Sequence, residues 1–298
     1  MKRRTFLAAL PAVLSASVRR DALGQAAGEP QRPYQPGPIT PREPIQLFNG
    51  KDLAGFYSWN KETLYEDPLR AFRVTDGLLH VTGEGPFGGL LTNREYRDYH
   101  LKFEYKWGEK TWGTRADKSR DSGILLHCQG PDGNWDSWVT SIEYQVIEGG
   151  TGDIILLSDG KDYDGSEIVV SVESQVVDGA NRQTVWSKDG ERRTITRGRI
   201  NWFGRDPDWQ DVRGFRGRND VESPWGEWTR CEAVVDGGHL RYFVNGVLVN
   251  EILSGTLDHG RLLIQTEGAE IFYRNLELHP LPRRQEAAHE AVRTLQPE

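Results

Sequence analysis

The residues best suited to chemistry lie in two short apolar segments, each with a carboxylate and an amide two positions apart. In "SIEYQVI", Glu143 and Gln145 alternate with apolar side chains, and in "LLIQTEG", Gln265 and Glu267 have the same spacing. A strand sends alternate side chains to opposite faces, so each pair shares one face. A carboxylate with a raised pKa can act as a general base, and amides exchange hydrogen bonds with hydroxyl groups. The pairs therefore predict either a reactive face or a polar face turned to water.

A histidine and several loop residues are further candidates. His127 ends the apolar run "SGILLHC", on the expected face of Leu125 and Gly123, and it is either structural or functional. Together with Glu143 and Glu267 it could bind a divalent cation through imidazole and carboxylate ligands. No close spacing such as HExxH supports this, so the need for a metal stays open.

Two tryptophans, Trp135 and Trp138, lie in the loop "GPDGNWDSW" and either present an indole face to a ligand or cap the core. Asp153, in "EGGTGD", either shapes a turn or reaches the rim of the site. Residues 196–228 hold several tryptophans among charges and glycines, which predicts an ordered loop packed on one side of the fold.

The elements that must position these residues are short strands. From Ile45 onward, runs rich in Val, Ile, Tyr and Phe are separated by glycine and aspartate. Hairpin turns are indicated at Asp76-Gly77, Asp236-Gly237 and Asn245-Gly246. No segment before the polar tail has a convincing helical period. The pattern predicts an all-β protein, a two-sheet antiparallel sandwich or jelly roll.

The chain has 298 residues and a net charge of -7, which argues against a nucleic-acid partner. Residues 1–26 resemble a twin-arginine signal peptide, which predicts an exported, periplasmic or extracellular protein with no membrane attachment after signal removal. Residues 27–44 read as a Pro-rich linker, 45–280 as the β domain and 281–298 as a polar tail. Cys128 and Cys231 are either free thiols or one disulfide.

Five segments in order resemble the family of 3-keto-disaccharide hydrolases, also described as 3-keto-glucoside lyase and hydratase domains. They are "LFNGKDLAGF", "DSGILLHC", "SIEYQVIEGGTGD", "GEWTRCEAVVDGGHLRYFVNG" and "GRLLIQTEGAEIFYRNLEL". The resemblance extends from about Leu47 to Leu278 and implies a concanavalin-like, glucanase-like jelly roll. The chain departs from many relatives at His127, where they carry arginine, and at Glu267, where they carry histidine.

The resemblance implies an enzyme that acts on an oligosaccharide or glycoside carrying a ketone at C3 of glucose. Glu143, Glu267 and His127 are then the candidate acid–base residues, and Arg274 in "FYRNLEL" is the candidate cation for the C3 oxygen, or else a structural ion-pair partner.

The same resemblance places Gln145 and Gln265 beside the sugar. Two other functions remain open: direct glycoside hydrolysis by two carboxylates, and carbohydrate binding without catalysis in the manner of a lectin.

Overall fold

The computed structural model describes residues 37–281, which form strands, turns and two short 3₁₀ segments, Gly113–Arg115 and Ala180–Arg182. No helix in this range is long and apolar enough to cross a membrane. The predicted signal peptide, most of the predicted linker and the tail from residue 282 lie outside the described residues.

The strands, in chain order, are β1 Ile45–Gln46, β2 Phe56–Asn60, β3 Phe72–Thr75, β4 Leu78–Val81, β5 Gly88–Thr92, β6 Tyr99–Thr111, β7 Asp121–Gln129, β8 Thr140–Ile147, β9 Ile154–Leu157, β10 Val172–Asp178, β11 Thr184–Trp186, β12 Glu191–Ile195, β13 Gly198–Ile200, β14 Thr229–Asp236, β15 His239–Val244, β16 Val247–Ile252, β17 Ser254–Gly255, β18 Arg261–Thr266 and β19 Ala269–Pro280.

Two large antiparallel sheets make up the sandwich. One has eight strands in the order β16-β15-β14-β6-β19-β4-β3, with β1 paired to β19. The other has seven strands in the order β13-β9-β8-β7-β18-β5-β2. A smaller sheet has the order β11-β10-β12, with β17 paired to β10. The predicted all-β, two-sheet antiparallel jelly-roll sandwich is confirmed.

Alternation of side chains explains the strands of the eight-stranded sheet. In β6, Leu101, Phe103 and Tyr105 are buried, whereas Lys102 and Glu104 between them are half-exposed. An antiparallel sheet with one face against the core produces this pattern. The predicted hairpin turns are also present: the β3–β4 turn at residues 76–77 and the β15–β16 turn at residues 245–246 have positive φ at both central positions, as type I′ turns require.

Aromatic rings connect the two large sheets across the core. Tyr144 of β8 meets Phe103 of β6 edge to face, with ring centroids 5.4 Å apart, and it stacks on Tyr242 of β15 at 4.3 Å. The Tyr144 hydroxyl donates a hydrogen bond of 2.9 Å to the carbonyl of Phe243. These contacts fix the inner face of β8, so Glu143 and Gln145 must lie on its outer face.

The seven-stranded sheet differs from its partner because its central strands are buried on both faces. Every residue of β8 and of β18 is buried. An outer apolar cluster lies over part of this sheet and includes Leu91, Leu125, Trp138, Leu157 and Leu263. Four of these side chains belong to strands of the sheet itself, and Trp138 comes from the loop before β8, so this loop covers part of the outer face.

The long segment 196–228 contains the short strand β13 near its start, and the rest of it is an ordered loop, as predicted, that packs over the turn joining β8 to β9. The Trp209 indole N–H donates a hydrogen bond of 2.9 Å to the Glu148 carbonyl, and the Glu148 carboxylate accepts one of 2.8 Å from the Gly214 N–H. Glu148 also pairs with Arg120 at 2.6 Å. Glu148 therefore ties the turn to the loop.

The ends and cysteines complete the fold. Ile39, which precedes the predicted start of the domain at Ile45, forms a bridge with Tyr96 and packs against the core. Cys128 and Cys231 are buried free thiols, on β7 and β14 respectively, so the disulfide alternative is not adopted.

Candidate active site

Strand register brings the predicted carboxylates and amides together on the outer face of the seven-stranded sheet. β7 lies between β8 and β18. Leu125 of β7 faces Glu143 on one side and Leu263 on the other. Gly123 faces Gln145, and the same antiparallel count places Gln265 on its other side. Side chains from three adjacent strands thus point to one surface.

This surface forms the floor of a cleft of about 190 Å³. Six of the sequence-predicted residues line it: Glu143, Gln145, Gln265, Glu267, Trp135 and Trp138. The other lining residues are Arg115, Asp121, Ile155, Leu157 and Arg199.

Polarity changes along the strand direction of the cleft. Leu157 on β9 lies opposite Ser141, which is two residues before Glu143 on β8. Trp138 lies just before β8 begins. The end of the cleft at the start of β8 is therefore apolar. Gln145 and Gln265 follow Glu143, and Glu267 comes after them. Glu143 therefore lies where the apolar end meets the polar end.

Glu143 is a buried carboxyl group with only 4% of its surface exposed. Burial, with repulsion from Glu267, raises its pKa to about 8, although Arg199 and a hydrogen bond from Gln265 oppose this. Raised by desolvation and a neighbouring acid, the group is a stronger base than a free carboxylate once it is ionised.

Glu267 is the second perturbed acid of the cleft. Burial raises its pKa to about 7, against the lowering effects of Arg115 and Arg199, while Asp211 raises it further. The Arg115 guanidinium lies 3.7 Å from its carboxylate. Both carboxyl groups, Glu143 and Glu267, therefore gain and lose their protons near neutral pH, which is the pH range useful for catalysis.

The two cations of the cleft, Arg115 and Arg199, were not predicted from the sequence. Arg115 is held by Asp121 and, at 3.0 Å, by Asp211 from the long loop. Arg199 lies on β13, opposite Ile155. Arg115 ends a three-residue 3₁₀ segment and Arg199 lies in a three-residue strand, so neither has a periodic signal. Only the pairing of β13 with β9 could have indicated Arg199.

The two amides present unused acceptors. Gln145 and Gln265 are buried, and among residues 37–281 neither Oε1 atom has a hydrogen-bond partner. A buried carbonyl without a donor is costly unless a ligand supplies one. The amides are therefore arranged to receive hydroxyl groups.

Trp135 and Trp138 form the wall of the apolar end. Trp138 is buried and stacks on Phe87, with ring centroids 6.2 Å apart. Trp135 pairs with Trp138 through a backbone bridge and is 38% exposed. Trp138 thus belongs to the outer apolar cluster, while Trp135 offers a face to a ligand.

His127 is not in the cleft, contrary to the prediction. Its φ of 57° and a register shift between Leu126 and Gln129 break the strand alternation there. The ring lies in the core against Tyr99, with Nδ1 3.0 Å from the Leu257 carbonyl. Burial lowers its pKa to about 4, so the imidazole is neutral.

The predicted metal ligands consequently do not converge, because His127 lies on the opposite side of the sheet from Glu143. Within the described part of the chain, no group of three His, Cys, Asp or Glu side chains is arranged to hold a metal ion.

Arg274 and Asp153 are also placed differently from the prediction. Arg274 belongs to β19 in the other sheet, where it pairs with Glu104 at 2.6 Å and lies over the Trp228 ring at 4.1 Å. Asp153 is fully buried and accepts a hydrogen bond of 2.9 Å from Arg199. Arg274 is thus a structural ion-pair partner, and Asp153 supports the cleft through Arg199 without lining it.

A jelly-roll sandwich with a cleft of paired acids, amides and indoles defines a carbohydrate-active protein. The chain matches the 3-keto-alpha-glucoside-1,2-lyase-like domain family over residues 43–279. It therefore belongs to this family, as the sequence motifs indicated. A comparison with curated protein sequences gives no significant match.

Solved structures give distant matches at low sequence identity. A suspected glycosyl hydrolase from Parabacteroides distasonis is 18% identical, with a TM-score of 0.46, over 80% of this chain and 94% of its own. A carbohydrate-binding module from Bacillus subtilis is 8% identical, with a TM-score of 0.40, over 75% of this chain and 94% of its own. These similarities are too distant to bear on function.

Proposed function

We propose that this protein cleaves 3-keto-glucosides by elimination and hydration, with Glu143 as the base that removes the proton from C2. The observation that carries the proposal is a buried carboxyl group with a pKa near 8 on the floor of the cleft. It is surrounded by the cations, amides and indole that a sugar ring and an enolate require.

The change of polarity along the cleft suggests how the sugar lies. C2 is placed at Glu143, and the C3 ketone is directed toward Arg115 at the polar end. The C1 substituent then extends toward Trp135 and Leu157. The order C1–C2–C3 in the ring matches the order apolar end, base, polar end in the protein.

Elimination begins when ionised Glu143 takes the C2 proton, which the ketone acidifies. The C–H electron pair forms an enolate whose charge lies on the C3 oxygen. The enolate then re-forms the ketone while a C1–C2 double bond forms and the C1–O bond breaks. The departing oxygen takes the proton from Glu143, giving an alcohol and an unsaturated ketone.

Hydration reverses the same steps with water in place of the alcohol. Glu143 removes a proton from water as its oxygen adds to C1, and the C3 oxygen again carries the charge. Glu143 then returns the proton to C2. The net result is hydrolysis, and the carboxylate is regenerated.

Arg115 is placed to stabilise the charge on the C3 oxygen. Its guanidinium supplies positive charge and donors, and the Glu267 carboxylate, 3.7 Å away, holds the guanidinium in place. Preorganised donors of this kind are often the largest single contribution to catalysis.

Direct hydrolysis of an ordinary glucoside is the second candidate, and the presence of two perturbed carboxyl groups in one cleft favours it. The test incubates the full chain with a 3-keto-glucoside and, separately, with the matching unoxidised glucoside, and measures the released alcohol. Release from the keto compound alone supports elimination. Release from the unoxidised glucoside supports direct hydrolysis, and binding without release from either supports a lectin-like role.

The proposed place of action lies outside the cytoplasm. The Arg3-Arg4 pair ahead of an apolar run supports this, because it matches a twin-arginine export signal.

A further inference from the structure

A glycine in the central strand of the cleft floor has no local conformational reason to be a glycine. Gly123 is the third residue of β7, which lies between the strands that carry Glu143 and Gln265. It is not among the residues with positive φ, so any side chain could adopt its backbone conformation. Glycine in a strand costs backbone entropy and contributes no packing. A reason for its presence must therefore come from its surroundings.

The space above Gly123 is occupied by the ends of the two functional side chains. A Cβ atom at this position would lie 2.5 Å from Oε1 of Glu143 and still closer to Oε1 of Gln265. The three nearest atoms all belong to these two side chains, and none is backbone. The missing side chain thus leaves room for a carboxylate and an amide to meet across the intervening strand.

We propose that Gly123 is a positioning residue for the reaction, because its missing side chain keeps the Glu143 carboxylate against Gln265 and directed at C2. This inference rests on the proposed function, since it assigns Gly123 a part in proton removal by Glu143. Any larger residue must displace at least one of the two side chains. A displacement of about 1 Å at a reacting group can lower a rate by about 10²-fold.

The test measures exchange of the C2 proton with deuterated water in 3-keto-1,5-anhydroglucitol, which has no exocyclic substituent at C1 and so releases no alcohol. Gly123→Ala should lower the exchange rate about 10²-fold and shift the midpoint of its pH profile, because the carboxylate changes its surroundings. A purely structural role would leave that midpoint unchanged.

Gly89→Ala is the matched control. Gly89 lies on β5 beside Gln265, and a Cβ there would meet the apolar Leu263 side chain without touching the carboxylate. This variant introduces similar crowding into the same sheet and should keep the parental pH midpoint.

A double-mutant cycle keeps the test decisive if Gly123→Ala folds poorly. Gln265→Ala makes room above the strand, so adding Gly123→Ala to it should cost much less than adding it to the parent. Parental exchange and pH midpoint in Gly123→Ala, or equal costs in both backgrounds, would overturn the inference. Parental exchange in Glu143→Gln would instead overturn the proposed function, so the two failures are distinguishable.

Discussion

Replacing the proposed base, Glu143, should stabilise the protein, and the gain should grow as pH rises from 4.5 to about 8. Glu143→Gln keeps the shape of the side chain and removes its charge. The ordinary pKa of the group is 4.5, and burial raises it to about 8 in the folded protein. Below pH 4.5 both the folded and the unfolded chain hold the proton, so the substitution changes little.

The sign of the effect follows from proton binding. As pH rises from 4.5 toward 8, the unfolded chain loses this proton while the folded chain keeps it, so the parent loses stability. Each pKa unit corresponds to about 1.4 kcal/mol, which gives a cost of about 5 kcal/mol above pH 8. Glu143→Gln has no carboxyl group to ionise and does not lose this stability. Its free energy of unfolding should therefore exceed that of the parent by about 3–5 kcal/mol at pH 9.

Urea denaturation at pH 5 and at pH 9 measures the difference. Glu109→Gln is the control, because Glu109 is an exposed glutamate and should show no such gain. If the gain in Glu143→Gln is the same at both pH values, or absent at both, the Glu143 carboxyl group is not buried as described and the reasoning fails.

The remaining predictions concern the neighbours of the base. The C2 exchange rate should rise with pH to a midpoint near 8, and Glu267→Gln should lower that midpoint because it removes a repelling charge; an unchanged midpoint would contradict the coupling. Arg115→Ala should lower turnover of a 3-keto-glucoside about 10²- to 10³-fold, whereas Arg274→Ala should leave it near the parental rate. Steady-state kinetics compare the two variants, and equal losses would contradict the assignment of Arg115 as the cation of the cleft. Trp135→Ala should raise KM about 3- to 10-fold with little change in kcat or melting temperature, and a fall in kcat alone would exclude a binding role.

The sequence predicted the part of the site that depends on strand alternation. Glu143, Gln145, Gln265 and Glu267 lie in segments whose apolar residues alternate, so their shared face could be predicted from the sequence. Prediction failed for His127, because a left-handed residue and a register shift interrupt the alternation and turn the side chain into the core.

Other errors came from pairing between distant strands. Arg274 lies on an outer face as its alternation allows, but its strand belongs to the eight-stranded sheet, on the far side of the core from the cleft. Arg115 and Arg199 were missed because the segments that carry them pair with partners far away in sequence. Local patterns predict which face of a strand a residue occupies, but not which sheet contains the strand.

The most direct test of the central claim is C2 proton exchange by Glu143→Gln in deuterated water. NMR of 3-keto-1,5-anhydroglucitol resolves the C2 and C4 protons, both of which the ketone acidifies. The parent should exchange C2 selectively, Glu143→Gln should lose this exchange about 10²- to 10⁴-fold, and Glu267→Gln should retain much of it. Selective C2 exchange at the parental rate in Glu143→Gln would contradict the assignment of Glu143 as the base.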